Sequence, residues 1–349
     1  MPEDDPAHES IDAKPQFDLD VQPPEFWGTP RERPLCMVAL GGNAIVPPGT
    51  DGTYEEQMAA VAETAEQIVA VMKAGYKVVL THGNGPQVGA LLLQQAQGEP
   101  PSQPLDVCGA MSQGQIGYML AQQVTAALER QWKHVPVACL LTQTVVDPDD
   151  PALDDPTKPV GPFVDESRAE RMLADGQSVT KVRDTGDQDY RRVVPSPEPI
   201  GVVEEAPIKR LVDQRDLVIC GGGGGVPVSR AHGEIRGHEA VVDKDLLTQV
   251  LGHRLDANTL VVLTDVDGIY LDYGTDDQRM LEDVTAEELR AHVDDGQFPE
   301  GSMEPKVEAI CRFVEGESRR ERSAVVTSLD HAVDALEGDA GTRVVDARD

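Results

Sequence analysis

Aromatic side chains are scarce in this sequence, only 4% of its residues, and positive charge is scarce as well: 30 Lys and Arg stand against 62 Asp and Glu. A core with so few rings must be filled by Val, Leu, Ala and Ile, which suits a Val-rich buried sheet. The formal net charge of −32 repels phosphate backbones and anionic membranes, so neither nucleic acid nor a membrane is an expected partner. The acidic excess runs along the whole chain and is not held in one tail. That pattern predicts a fold solvated at high salt, where screening removes self-repulsion, and hence a halophilic source. Cysteine is sparse too. Cys36, Cys108, Cys139, Cys220 and Cys311 are odd in number and form no C-x-x-C pair, so neither a disulfide framework nor a zinc site is expected. Each lies in an apolar run and reads as a small buried hydrophobe. His232 and His238 lack a third ligand nearby, and no structural metal is expected. No basic region followed by an apolar stretch opens the chain and no segment approaches a membrane span, which predicts a cytoplasmic protein.

What is present is an alternation of short apolar runs and helical patterns. The length, 349 residues, suits one large α/β domain with a smaller insertion. Residues 1–34, rich in Asp, Glu and Pro, read as a disordered or loosely docked acidic extension. From Leu35 an apolar run to Leu40 enters the tight loop Gly41-Gly42-Asn43. Met58, Val61, Ala65, Ile68, Val69 and Met72 then recur at helical spacing up to Gly75, and Tyr76 to Thr81 is a second strand. Strand, helix, strand at this spacing implies parallel pairing. Pro136–Thr142, Leu217–Cys220, Leu260–Thr264 and Ala324–Thr327 are further expected strands, and Thr285 with Glu288 forms a capping box on a helix reaching Val293. The fold class that follows is α/β, a three-layer αβα sandwich with a mainly parallel central sheet. Over residues 147–199 apolar periodicity weakens and Pro and Asp dominate, which predicts a small inserted lid subdomain in the domain spanning 35–349.

Four glycine-bearing loops follow predicted strands: Gly41-Gly42-Asn43, Gly83-Asn84-Gly85, Gly221 to Gly225, and Asp265-Val266-Asp267-Gly268. Loops at the carboxyl ends of parallel strands gather on one edge, and glycine there lets backbone N–H groups approach a phosphate. Neither a P-loop nor the dinucleotide fingerprint is present. In a lysine-poor chain, Lys158, Lys244 and Lys306 stand out by their Gly-, Pro- and Asp-rich settings, and an ammonium is a compact charge suited to phosphoryl oxygens.

The runs ALGGNAI (39–45), THGNGPQVG (81–89), PTKPVGPF (156–163), RRVVPSP (191–197), GGGGGVPV (221–228), VDKDL (242–246), LTDVDGIY (263–270) and GSMEPKVEA (301–309) closely resemble the carbamate kinases, within the amino-acid kinase fold. They occur in that family's order. The resemblance implies that Gly41, Gly42, Asn43, Gly83, Asn84 and Gly85 bind the transferred phosphoryl group. It implies that Lys158, Lys244 and Lys306 act as catalytic cations, with Lys158 on the lid, and that Asp245 organises them. Gly221, Gly222, Gly223, Asp265, Asp267, Gly268, Tyr270 and Met303 would line the nucleotide side. The implied reaction is in-line transfer between ATP, accompanied by Mg2+, and carbamate, with carbamoyl phosphate and ADP on the other side. The family forms homodimers and makes ATP at the end of arginine fermentation. Carbamate is already anionic, so no general base is required, and His82 reads as a hydrogen-bonded scaffold residue. Glu304 replaces the family's usual glycine and Tyr190 its usual tryptophan; Glu304 either weakens nucleotide binding or serves as a favourable anion in a first helical turn. The rival readings are another kinase of this fold, acting on a carboxylate such as acetylglutamate, and a nucleotide sensor without catalysis.

Overall fold

The computed structural model describes residues 33–97, 101–131, 135–183, 186, 188–214, 217–298, 303–317 and 321–347. The extension expected over residues 1–34 lies outside them, apart from its last two residues. Eight strands form one sheet in the spatial order Asp283–Thr285, Thr342–Val345, Ser323–Ser328, Thr259–Thr264, Leu35–Leu40, Lys77–His82, Leu217–Ile219, Val137–Cys139. Every neighbouring pair is parallel except Ser323–Ser328 with Thr342–Val345.

The central strand explains the layering. All of Leu35–Leu40 is buried, and its residues alternate between two cores: Met37 and Ala39 face one, Cys36, Val38 and Leu40 the other. A strand covered on both faces reads as an unbroken apolar run for this reason. The described helices are α1 (Tyr54–Lys73), α2 (Gly85–Gln97), α3 (Leu105–Gln131), α4 (Glu166–Ala174), α5 (Glu205–Asp213), α6 (Lys244–Arg254), α7 (Ala286–Asp294), α8 (Met303–Glu315) and α9 (Ala332–Glu337). Val61 and Ile68 of α1, Ile116 and Leu120 of α3 and Ala335 of α9 fill one core; Ile208 of α5, Leu247 of α6, Leu289 of α7 and Phe313 of α8 fill the other. The result is the three-layer sandwich expected. Capping boxes start α1, at Thr53 and Glu56, and α7, at the expected Thr285 and Glu288. None of the described helices is long and apolar enough to cross a membrane.

One packing detail positions the site. Phe313 of α8 occupies the space that Gly252 of α6 leaves open, where an added Cβ would lie 2.8 Å from the ring. Helices α6 and α8 therefore approach closely, with Lys244 in the first turn of one and Lys306 in the first turn of the other.

Two expectations need correction. The strand read over Pro136–Thr142 is shorter than expected: Val137–Cys139 joins the main sheet, and a separate strand beyond the expected range, Gln143–Val145, pairs with Val226–Ala231 and Gly201–Val202 in a second sheet. The break falls where Thr142 is claimed from the side. Gln113 bonds its backbone N–H and C=O, and its hydroxyl accepts from the Gly221 N–H. Cys139 is exposed, unlike the other four cysteines, because Val137–Cys139 is an edge strand. Lys158–Val164, Tyr190–Val194 and Val179–Lys181 form a separate antiparallel sheet, accompanied by α4. It touches α2 where Gly161 lies on Gly89, so closely that a Cβ on Gly89 would collide with the Gly161 backbone.

Candidate active site

The strands Thr259–Thr264, Leu35–Leu40, Lys77–His82 and Leu217–Ile219 are consecutive neighbours and mutually parallel, so the four glycine-bearing loops leave the sheet side by side. Backbone hydrogen bonds lock their starts: the Gly41 N–H donates to the Leu263 carbonyl and the Gly83 N–H to that of Leu40, each at 3.0 Å. A Cβ on Gly83 would lie 3.4 Å from the Gly42 nitrogen, so these two loops are in contact, with Asn43 exposed beside them. The Gly221–Gly225 turn takes a left-handed backbone at Gly221, Gly223, Gly224 and Gly225, a run that only glycine adopts without strain. It is also crowded. A Cβ on Gly222 would strike the His82 ring, and one on Gly223 the Asn84 amide.

The lysines meet across these loops. Helix α6 begins at its N-cap Asp243, whose Oδ1 accepts the N–H groups of Asp245 and Leu246. The other oxygen, Oδ2, accepts a hydrogen bond of 2.6 Å from Lys158 Nζ, which reaches over from the three-stranded sheet. Burial opposes the charge on Asp243, yet the Lys158 ammonium, its hydrogen bond, Lys244 and the Asp245 amide together hold this carboxyl below its ordinary range. Asp245, itself buried, accepts from Lys244 Nζ at 2.6 Å through one oxygen and lies 3.5 Å from Lys306 Nζ through the other. Three ammonium groups thus rest on two carboxylates separated by one residue. They line a cleft of about 190 Å3 together with Gly83, Asn84, Gly85 and Gly223.

A second hollow, of about 150 Å3, shares Lys306 with the cleft and is lined by Asp265, Tyr270, Met303, Tyr273 and Phe298 among others. The expected nucleotide-side residues divide between the two. Asp265, Tyr270 and Met303 are together in the hollow, whereas Gly223 lines the lysine cleft and Gly221 and Gly222 are buried behind it. Asp267 is exposed and lines neither space; Gly268 is buried, its missing Cβ leaving room for Met280 and Thr342. Sequence reasoning missed Asp243, Tyr273 and Phe298. Only Asp243 left a signal, an acidic residue inside the quoted run VDKDL (242–246). His82 is buried, its Nδ1 lying 2.9 Å from the Gly83 carbonyl, and desolvation lowers its pKa to about 4 despite that bond, so the imidazole is neutral near pH 7.

A model of the amino acid kinase family matches residues 34–327. The carbamate kinase of Thermococcus kodakarensis is 50% identical over 88% of this chain and 98% of its own length. The carbamate kinase of Halobacterium salinarum is 46% identical over 89% and 98% respectively. The chain belongs to the amino acid kinase family, among its carbamate kinases. In three dimensions the carbamate kinase from Giardia lamblia bound to AMP-PNP is similar at a TM-score of 0.82 and 43% identity, over 90% of this chain and 99% of that one. UMP kinase from Bacillus anthracis is similar in fold alone, at a TM-score of 0.50 and 13% identity. Against the rival reading of another kinase of this fold stands the 50% identity to a carbamate kinase over most of both chains.

Proposed function

We propose that the chain transfers a phosphoryl group between ATP and carbamate, working in the ATP-forming direction from carbamoyl phosphate and ADP in arginine breakdown. The observation that carries this reading is the convergence of Lys158, Lys244 and Lys306 on Asp243 and Asp245 beneath the glycine loops. An in-line transfer spreads negative charge over the equatorial and bridging oxygens of the moving group, and fixed ammonium groups stabilise that charge without having to reorganise. Asp243 and Asp245 orient the lysines: Asp243 holds Lys158 of the inserted lid, and Asp245 holds Lys244 and Lys306. The amides of Gly41, Gly42, Asn43, Gly83, Asn84 and Gly85 donate to phosphoryl oxygens, and the hollow of Asp265, Tyr270 and Met303 takes the nucleotide, with Lys306 at the junction of the two spaces. No proton has to be removed from carbamate, which agrees with a His82 imidazole that is neutral and bonded to the Gly83 carbonyl.

The donor set fits Mg2+ carried chiefly by the nucleotide. Asp243 and Asp245 are occupied by lysines, and Asp265 is the carboxylate among the residues lining the hollow, available to the ion or its water shell. When bound, the ion neutralises charge on the terminal phosphates.

A homodimer is part of this reading. Val107, Met111 and Tyr118 expose apolar side chains on α3, and the exposed Leu141 follows the edge strand packed on that helix at Gly117. The reading also takes the chain to be cytoplasmic, and the acidic excess favours a salt-tolerant source. The deciding assay mixes ADP and carbamoyl phosphate in concentrated KCl and measures ATP, then offers ATP with carbamate, acetylglutamate or glutamate. ATP production and a preference for carbamate are expected; phosphorylation of acetylglutamate instead, or nucleotide binding without transfer, would overturn the reading.

A further inference from the structure

A third cavity, of about 230 Å3, lies between α2 and the lid, outside both spaces described above. Leu92, Leu93 and Ala96 of α2 and Val160 and Val164 of the lid give it an apolar lining. Arg168 and Arg171 of α4 and Arg192 of the strand Tyr190–Val194 also line it, Arg192 directly across the strand pair from Val160.

Several arginines elsewhere in the fold have found acids. Arg130 pairs with Glu66, Arg290 with Glu308 and Glu315, and Arg312 with Glu198 and Glu308. Among the described residues, Arg168, Arg171 and Arg192 form no salt bridge, and the guanidinium of Arg171 donates only to the Ser167 hydroxyl at 3.2 Å. Acids outnumber bases two to one in this chain, yet Asp175 is the one carboxylate lining this cavity. Three planar forks in such a setting match a carboxylate or phosphate head, and a wall of Leu, Val and Ala matches a short hydrocarbon body.

We propose that this cavity binds a small amphipathic anion, a carboxylate or phosphate monoester bearing a chain of a few carbons, and that its occupancy fastens the lid to α2. The coupling follows from position. Val160 lines both this cavity and the lysine cleft, two residues along the same strand from Lys158, and Gly161 rests on Gly89 at its edge. A molecule seated there bridges the helix that follows Gly83-Asn84 and the strand that carries Lys158.

The test is direct binding by calorimetry on the full chain at fixed, high ionic strength, with hexanoate and hexyl phosphate as probes and hexylammonium as the charge control. Saturable binding of at least one anion is expected, with slower amide exchange over residues 158–164. AMP-PNP should not compete. The double variant Arg168→Gln/Arg171→Gln should weaken binding at least tenfold while ATP formation without probe stays within twofold of the parent. Ala96→Phe, which crowds the apolar lining, should abolish binding independently. No saturable heat with either anion at millimolar concentration, equal binding of hexylammonium, competition by AMP-PNP, or unchanged affinity in both variants would each overturn the proposal. Preference for one anion over the other identifies the head group.

Discussion

The two sources of positive charge in the cleft are held differently. Lys244 and Lys306 stand on α6 and α8, which are locked together at Gly252 and Phe313 inside a core, and both rest on one buried carboxylate. Lys158 comes from a separate three-stranded sheet and is tied to the body by a single bond to Asp243. One half of the site is set by packing inside a large core, the other by a smaller apolar cluster, Val160 and Val194 against Val88, Leu105 and Cys108, together with an ion pair. The lesson is that loss of charge should hurt both halves alike, whereas loss of placement should hurt the lid half first.

The largest effect tests the shared property. Lys306→Ala and Lys158→Ala should each lower turnover by ~10²-fold or more with little change in stability, read by steady-state kinetics beside a denaturant titration. Near-normal turnover in both would remove the assigned roles. Next comes placement on the rigid side: Gly223→Ala puts a Cβ at φ +63 against the Asn84 amide and should cost about tenfold or more in turnover. If activity is retained, Asn84 is not fixed by that turn. The ion pair itself is addressed by Asp243. Asp243→Asn keeps a good N-cap but frees Lys158, so turnover should fall about tenfold while stability stays within ~0.5 kcal/mol; Asp243→Ala should lose ~1 kcal/mol in addition. Equal stability in the two variants would contradict the cap.

The smallest effect separates scaffold from chemistry. His82 has a folded pKa near 4, below its ordinary 6.5, so between these values the unfolded chain binds the proton that the folded chain refuses. This contribution is full above pH 6.5 and is lost as pH falls toward 4. Unfolding midpoints measured from pH 7 to 4.5 should decline more steeply in the parent than in His82→Gln; parallel declines would show that the ring titrates freely.

Much of the architecture could be read in advance because its determinants are local. Leu35–Leu40 is apolar throughout since both its faces are covered, and Thr285 with Glu288 marks a helix start by bonds spanning three residues. The long helix α3 passed unnoticed; it carries Gly109, Gly114 and Gly117, and its apolar stripe is weak because it buries Ser112 and Gln113 as well as Ile116 and Leu120. Thr342–Val345 and Asp283–Thr285, which run opposite to the other six strands of the main sheet, were missed as well. In the site, the lysines and glycine loops were visible from their settings, but the bond from Lys158 to Asp243 joins positions 85 residues apart and exists only once the sheets are assembled. Gly221 to Gly223 were grouped with the nucleotide residues by the resemblance, and strand order in space sets Gly223 beside Asn84.

Each ammonium in the cleft already touches a carboxylate, so the site attracts its anions only at close range, while the body around it bears a formal charge of −32. An approaching nucleotide or acyl phosphate is pushed away at long distance and welcomed on arrival. Dissolved salt shortens the reach of the repulsion far more than that of the embrace, so brine should quicken the encounter.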